Sequence, residues 1–120
     1  VLIGTGPLLS KAIEAGKKLA EIGIQATVIN NPFINRVDLE TIGAAVRACG
    51  RLVTIEDHQI VGGMGAQVSH ALSQAGIPHT ASTLGIPGEF GQSAYLAEQL
   101  YQHHGLTAEK MIAAAKALMA

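Results

Sequence analysis

"RLVTIEDHQIVGGMGAQVSHAL", residues 51–72, changes its periodicity part-way along. The first half holds a short β-branched run, LVTIE from Leu52, which reads as a strand. The second half places Met64, Val68 and Leu72 at helical spacing, continued by Ala71 and Ala75 up to a stop at Gly76. Between them lie Glu56, Asp57 and His58, then Gly62, Gly63 and Gly65. A strand that passes through a polar, glycine-rich corner into a helix is half of a parallel crossover unit, and it predicts an α/β fold.

The same grammar recurs outward in both directions. Further candidate strands are VLIG at the start, ATVIN from Ala26 and HTASTLGI from His79. Between the first two, Leu9, Ala12, Ile13, Gly16, Leu19 and Ala20 keep helical spacing, with Pro7 at the first turn and Gly23 past the end. Asp38 is an N-cap candidate for a second helix that strings Leu39, Ile42, Val46 and Cys49 on one stripe before Gly50. Strands separated by helices of this length pair in parallel through right-handed crossovers. The expectation is a three-layer α/β/α domain over residues 1–120, with a mostly parallel sheet of four to five strands. Beyond the fourth strand the sequence predicts a helix over residues 93–103, ending at Gly105. A last helix is capped by Thr107, with Glu109 in its first turn and Leu106 stapled against Met111.

At 120 residues, 48% hydrophobic, 14% charged and with a net charge of -1, the chain reads as a compact domain richer in apolar side chains than one core needs, which points to a buried interface. There is no basic run for nucleic acid and no apolar stretch of the roughly 18–20 residues that span a bilayer. The single cysteine cannot form an internal disulfide, and a reducing cytoplasm is expected. The chain opens on an apolar run without an initiator methionine, and the expectation is a piece of a longer or split enzyme.

Polar residues collect after the strands: Thr5, then Asn30 and Asn31, then Glu56, Asp57 and His58, then Glu89. In an open parallel sheet this edge is where ligands and partners gather. GTGPLL fails as a dinucleotide fingerprint, since Leu9 takes the third glycine position and Asn30 the place of the acid. GGMGAQ lacks the Lys-Ser/Thr pair of a P-loop, although free amides at such a helix entrance can hold an anion. His58 invites a catalytic role, but strand alternation leaves only Glu56 on its face and no nucleophile is fixed nearby. Cys49, on its helical stripe, reads as packing. His103 and His104 read as helix-end residues, Met64, Met111 and Met119 as core or interface fillers, and Tyr95 and Tyr101 as packing residues with a polar tip.

VINNPFINRVDLETI, RLVTIEDHQIVGGMGAQVSHAL and GIPGEFGQSAYLAEQLYQHHGLTAEKMIAAAKAL together resemble the C-terminal domain of transketolase-like and deoxyxylulose-phosphate-synthase-like thiamin-diphosphate enzymes. The ordered set EDH…GG.G, FG.SA and HGLTAE carries the likeness over nearly the whole chain. Asn35-Arg36-Val37-Asp38 departs from the family's frequent Lys-Pro-Leu-Asp. The resemblance implies an enzyme whose other two domains hold thiamin diphosphate and magnesium between subunits and transfer two-carbon ketol units. It implies that this domain supports a homo-oligomer through companion domains or subunits. The family's Gly-Asp-Gly cofactor motif is absent, so neither cofactor nor metal is expected on this domain alone, and no residue is assigned to catalysis. Glu56, Asp57, His58, Gly62, Gly63, Gly65, Phe90, Gly91 and Ser93 are the interface or ligand-loop candidates. The competing readings are a free-standing anion- or nucleotide-binding module at the entrance formed by Gly62, Gly63 and Gly65, and a regulatory protein-docking domain.

Overall fold

The computed structural model describes residues 1–88 and 96–120. Strand β1 (Leu2–Gly4) leads through a 3-10 turn, Gly6–Leu8, into α1 (Leu9–Glu21). There follow β2 (Val28–Asn30), α2 (Leu39–Cys49), β3 (Arg51–Gln59), α3 (Met64–Gln74), β4 (Thr80–Ile86), α4 (Ala97–His103) and α5 (Ala108–Met119). Among the described residues four strands form one sheet in the order β2-β1-β3-β4, and every neighbouring pair is parallel. The register sets Gly4 opposite both Asn30 and Ile55, so β1 and β2 end level with each other and β3 continues past them to Gln59.

Successive strand residues point to opposite faces, and both faces are covered. On one face Leu2, Val53 and Ile55 meet Ala12 and Leu19 of α1, together with Leu106 and Met111 from the start of α5. On the other, Ile3 and Leu52 meet Ile42 and Val46 of α2 and Val68 and Leu72 of α3. Helix, sheet and helix therefore form the expected three layers.

The helix ends follow the local chemistry read from the sequence. The Thr41 amide donates to the Asp38 carboxylate at 3.1 Å, and Gly50 closes α2 in the left-handed region at φ 69°. The Lys110 amide donates to the Thr107 hydroxyl at 3.2 Å, while Leu106 and Met111 are buried in one cluster as a staple requires. Lys18 bridges α1 to α5 through Glu109 at 3.1 Å. Lys11 bridges α1 to α4 through Glu98 at 2.8 Å. Such surface pairs contribute little beyond orientation, about 0–1 kcal/mol each.

Four expectations change. The described helix before Gly105 begins at Ala97, after an extended Leu96, and residues 93–95 of the expected helix lie outside the described residues. Cys49 is exposed. Its turn reaches the amino edge of the sheet, where it lines an open groove with Val1, Arg51 and Leu118 instead of resting on the sheet. Leu39, at the other end of the same stripe, is also exposed, because only the middle of α2 sits over the core. For Met119, expected as a core or interface filler, the core role falls away, since it is 48% exposed. No described helix is long and apolar enough to cross a membrane.

Met111 is fully buried where α5 meets the sheet. Met111→Ala is expected to cost about 2–5 kcal/mol in urea unfolding. Met119→Ala should stay within about 0.5 kcal/mol. Equal effects would contradict this packing.

Candidate functional site

The chain moves from β1 outward to β2, then crosses back over β1 to lay down β3. The strands β1 and β3 thus flank a topological switch point, where the helices that follow them leave on opposite faces and open a crevice at the carboxyl edge. That crevice, about 430 Å³, is lined by Thr5 after β1, Asn30 at the end of β2, and Asp57 and His58 near the end of β3. Pro7, Leu9, Pro32 and Ile34 give it apolar walls.

Glu56 lies on the other face, against α3. It is 2% exposed, and its Oε2 accepts from the amides of Met64 at 2.5 Å and Gly65 at 3.3 Å. These are the first amides of α3, which have no partner inside the helix. The side chain reaches them because Gly62 turns the chain at φ 77° and Gly63 carries no Cβ; a Cβ there would fall on the Glu56 carboxyl group. Gly65 is required for a similar reason, since its Cβ would lie 2.7 Å from the Thr83 methyl. Desolvation raises the Glu56 pKa above the ordinary 4.5 and outweighs the opposing pull of the two amides and of His58. The helix entrance expected as a possible anion cradle is therefore already filled by the chain's own carboxyl group. A phosphate placed there would have to displace Glu56 from a buried pocket, and the anion- or nucleotide-binding reading of Gly62, Gly63 and Gly65 is corrected accordingly.

Asp57 and His58 also differ from expectation. Strict alternation would hold them on opposite faces, yet the His58 Nδ1 lies 3.6 Å from the Asp57 carboxylate. The register of β3 against β4 shifts between Ile55 and Gln59, which breaks the alternation and lets both line the crevice. The strand also runs beyond LVTIE to Gln59, and Ile60 still donates its amide to Ile86 at 2.9 Å. Gly85, unmarked in the sequence, permits this pairing: a Cβ there would be 2.9 Å from the Ile60 side chain and 3.0 Å from the His58 carbonyl oxygen. Tyr101 is another unforeseen neighbour. Its phenol is pushed up first by burial and then by the negative charges of Asp57 and Glu98. No local signal links residues 57 and 101, because only the packing of α4 brings them near each other.

The family described as "Transketolase, C-terminal domain" matches residues 1–111. The chain belongs to the transketolase C-terminal domain family. It is 32% identical over 111 residues to one subunit of the apulose-4-phosphate transketolase of Actinobacillus succinogenes, covering 92% of this chain and 36% of that protein. It is 36% identical over 118 residues to the 1-deoxy-D-xylulose-5-phosphate synthase of Desulfitobacterium hafniense, covering 98% of this chain and 18% of that one. A solved structure described as a split gene transketolase, inactive beta4 tetramer, superposes with a TM-score of 0.89 at 31% identity, covering 98% of this chain and 38% of its own. The chain therefore spans between about a fifth and two fifths of these relatives.

In this transketolase C-terminal domain the candidate residues divide by role. Glu56, Gly63 and Gly65 are buried at the join of β3 and α3, whereas His58 and Gly62 are exposed and Asp57 is partly so. Phe90, Gly91 and Ser93, with Glu89 and Tyr95, lie outside the described residues.

Glu56→Ala leaves buried amides without an acceptor and is expected to cost about 1–3 kcal/mol. A carboxyl group whose folded pKa is raised contributes most stability below its unfolded pKa and loses that contribution as pH climbs through the folded value. The wild-type chain should thus lose stability relative to Glu56→Gln as pH rises above about 4.5. Denaturant melts across pH 4 to 8, taken as roughly the range around carboxylate and imidazole titration, check this; a gap that widens in favour of wild type would contradict it.

Proposed function

We propose that residues 1–120 form the assembly domain of a cytoplasmic, thiamin-diphosphate-dependent, transketolase-like enzyme that transfers two-carbon ketol units between sugar phosphates. Catalysis belongs to companion domains or subunits. The observation that carries this reading is the pair of hydrogen bonds that the first amides of α3 donate to Glu56. Thiamin diphosphate presents a charged diphosphate together with magnesium, and at this glycine-rich entrance it would meet a carboxyl group in place of free amides. Among the described residues no three His, Cys, Asp or Glu side chains gather as ligands for a metal. The residues present do not fit the cofactor.

The exposed apolar side chains support a docking role for the carboxyl edge. Phe33, in the loop after β2, is 60% exposed, and Val61, between β3 and α3, is 87% exposed. Leu96, 57% exposed, precedes Glu98, which is tied to the first turns of α1 by Lys11. Isolated exposed apolar residues are common, but several around one edge mark an interaction face. His58, Asp57 and Gly62 share that edge as contact candidates. One relative is described as a subunit of its enzyme and another as a tetramer, which agrees with partners and an oligomer.

Calorimetric titration of the isolated chain with thiamin diphosphate and magnesium is expected to show no saturable binding. Val61→Asp or Phe33→Asp should weaken association with the companion domains at least about tenfold, equivalent to about 1.4 kcal/mol. Stability of the isolated chain should change by no more than about 0.5 kcal/mol. Tight cofactor binding by the isolated chain, or undiminished association of both variants, would overturn the assignment.

A further inference from the structure

We propose that the crevice at the ends of β1, β2 and β3 binds a cation carried on an aliphatic stem, an alkyl-guanidinium or alkyl-ammonium group, through Asp57, Thr5 and Asn30. Thr5 is 3% exposed and lines the crevice, yet among the described residues its hydroxyl has no hydrogen-bond partner and caps no amide. The hydroxyl is not sealed from solvent, and at the wall of an open crevice it is free to pair with a group that enters. Neither the Asn30 side chain nor the Asp57 carboxylate is hydrogen-bonded among the described residues, and the basic group within reach of Asp57 is the His58 ring at 3.6 Å. The strand register brings these acceptors to one place: Gly4, directly before Thr5, is opposite Asn30 and also opposite Ile55, two residues before Asp57.

The chemistry of the set selects the ligand. Two carboxylate oxygens, a hydroxyl oxygen and an amide carbonyl can all accept, and a guanidinium offers five donors in a planar fork that suits a carboxylate. Pro7, Leu9, Pro32 and Ile34 supply the apolar wall along which an alkyl stem can lie. Among the described residues no Lys or Arg lines the crevice, and Lys11 is engaged by Glu98 at 2.8 Å. Burial and the charges of Asp57 and Glu98 both disfavour ionisation of Tyr101, which agrees with a negative local field. An anion would face Asp57, with Glu56 adjacent in the strand, and is the poorest fit. The site stands on the crevice alone and does not depend on the assembly reading.

Two sources share this chemistry: an Arg or Lys side chain of a docked chain, and a free alkyl-guanidine or alkyl-amine. The test is an NMR titration of the isotope-labelled chain at low salt and about pH 8, above the ordinary imidazole range. The probes are n-butylguanidinium and N-acetylarginine methylamide, with n-butylurea and inorganic phosphate as controls. Both cations are expected to shift Thr5, Asn30 and Asp57 saturably. Butylurea should bind at least about tenfold more weakly and phosphate should not bind, as charge-assisted pairing requires. Asp57→Asn should lower cation affinity at least about tenfold, whereas Asn30→Asp, at an exposed position, should raise it severalfold; melting curves establish that both variants are folded. Arginine amide binding as tightly as butylguanidinium, or more tightly, assigns the site to a docked side chain, and the reverse order assigns it to a free ligand. No response to either cation, equal response to butylurea, or unchanged affinity in folded Asp57→Asn would overturn the site.

Discussion

A carboxyl group buried beneath the first turn of a helix constrains the rest of this structure. Glu56 at the end of β3 accepts from two amides of α3, and that contact fixes how far the helix descends onto the sheet. It can form only where backbone approaches side chain without an intervening Cβ, which accounts for Gly63, while Gly65 lets the helix close on Thr54 and Thr83 of the sheet. Two effects oppose each other at the same atom. Desolvation disfavours the charged form, whereas the amides and the positive end of the helix favour it, and here desolvation is the larger. The result is a tightly packed corner in which Glu56 and the first amides of α3 satisfy each other, while the buried Thr54 hydroxyl beside Gly65 has no partner among the described residues.

That internal satisfaction redirects the chemistry of the carboxyl edge. In many open α/β sheets a helix entrance is left free and meets an anionic ligand. Here α3 is closed in that sense, and the strand order β2-β1-β3-β4 instead opens a crevice at the switch between β1 and β3. Among the described residues its Thr5 and Asn30 side chains have no hydrogen-bond partner and Asp57 meets only His58, while Phe33 and Val61 stand exposed. The edge thus combines apolar contact area with polar groups that can accept from donors. The chain belongs to the transketolase C-terminal domain family and matches only part of each relative.

Much of the architecture was legible because it rests on local rules. The helical spacing found Ala12 and Leu19 on the buried face of α1 but missed Ala15 and included Ile13 and Ala20, which are exposed; Asp38 and Thr107 identify helix starts by their capping chemistry. Periodicity misled where an element extends past what it packs against. Cys49 keeps the phase of Ile42 and Val46 but lies at the sheet's edge, so its spacing is apolar and its environment is not. Alternation likewise failed at Asp57 and His58, because a register irregularity against β4 is set by the neighbouring strand and leaves no mark in their own sequence.

By itself the sequence determined the succession of strands and helices, the parallel sense of the sheet and the polar character of its carboxyl edge. Each follows from residue spacing, turn chemistry and the length of the crossovers. Only the tertiary structure decided the surroundings of each polar group on that edge. Glu56 and Asp57 are adjacent carboxylates in a single strand, indistinguishable by type and position. One points into α3 and is consumed by two amides; the other opens into the crevice beside Thr5, more than fifty residues away along the chain but one strand away in the sheet. The pleat of a strand sends neighbours to opposite faces, and what waits on each face is chosen by contacts that no local window contains.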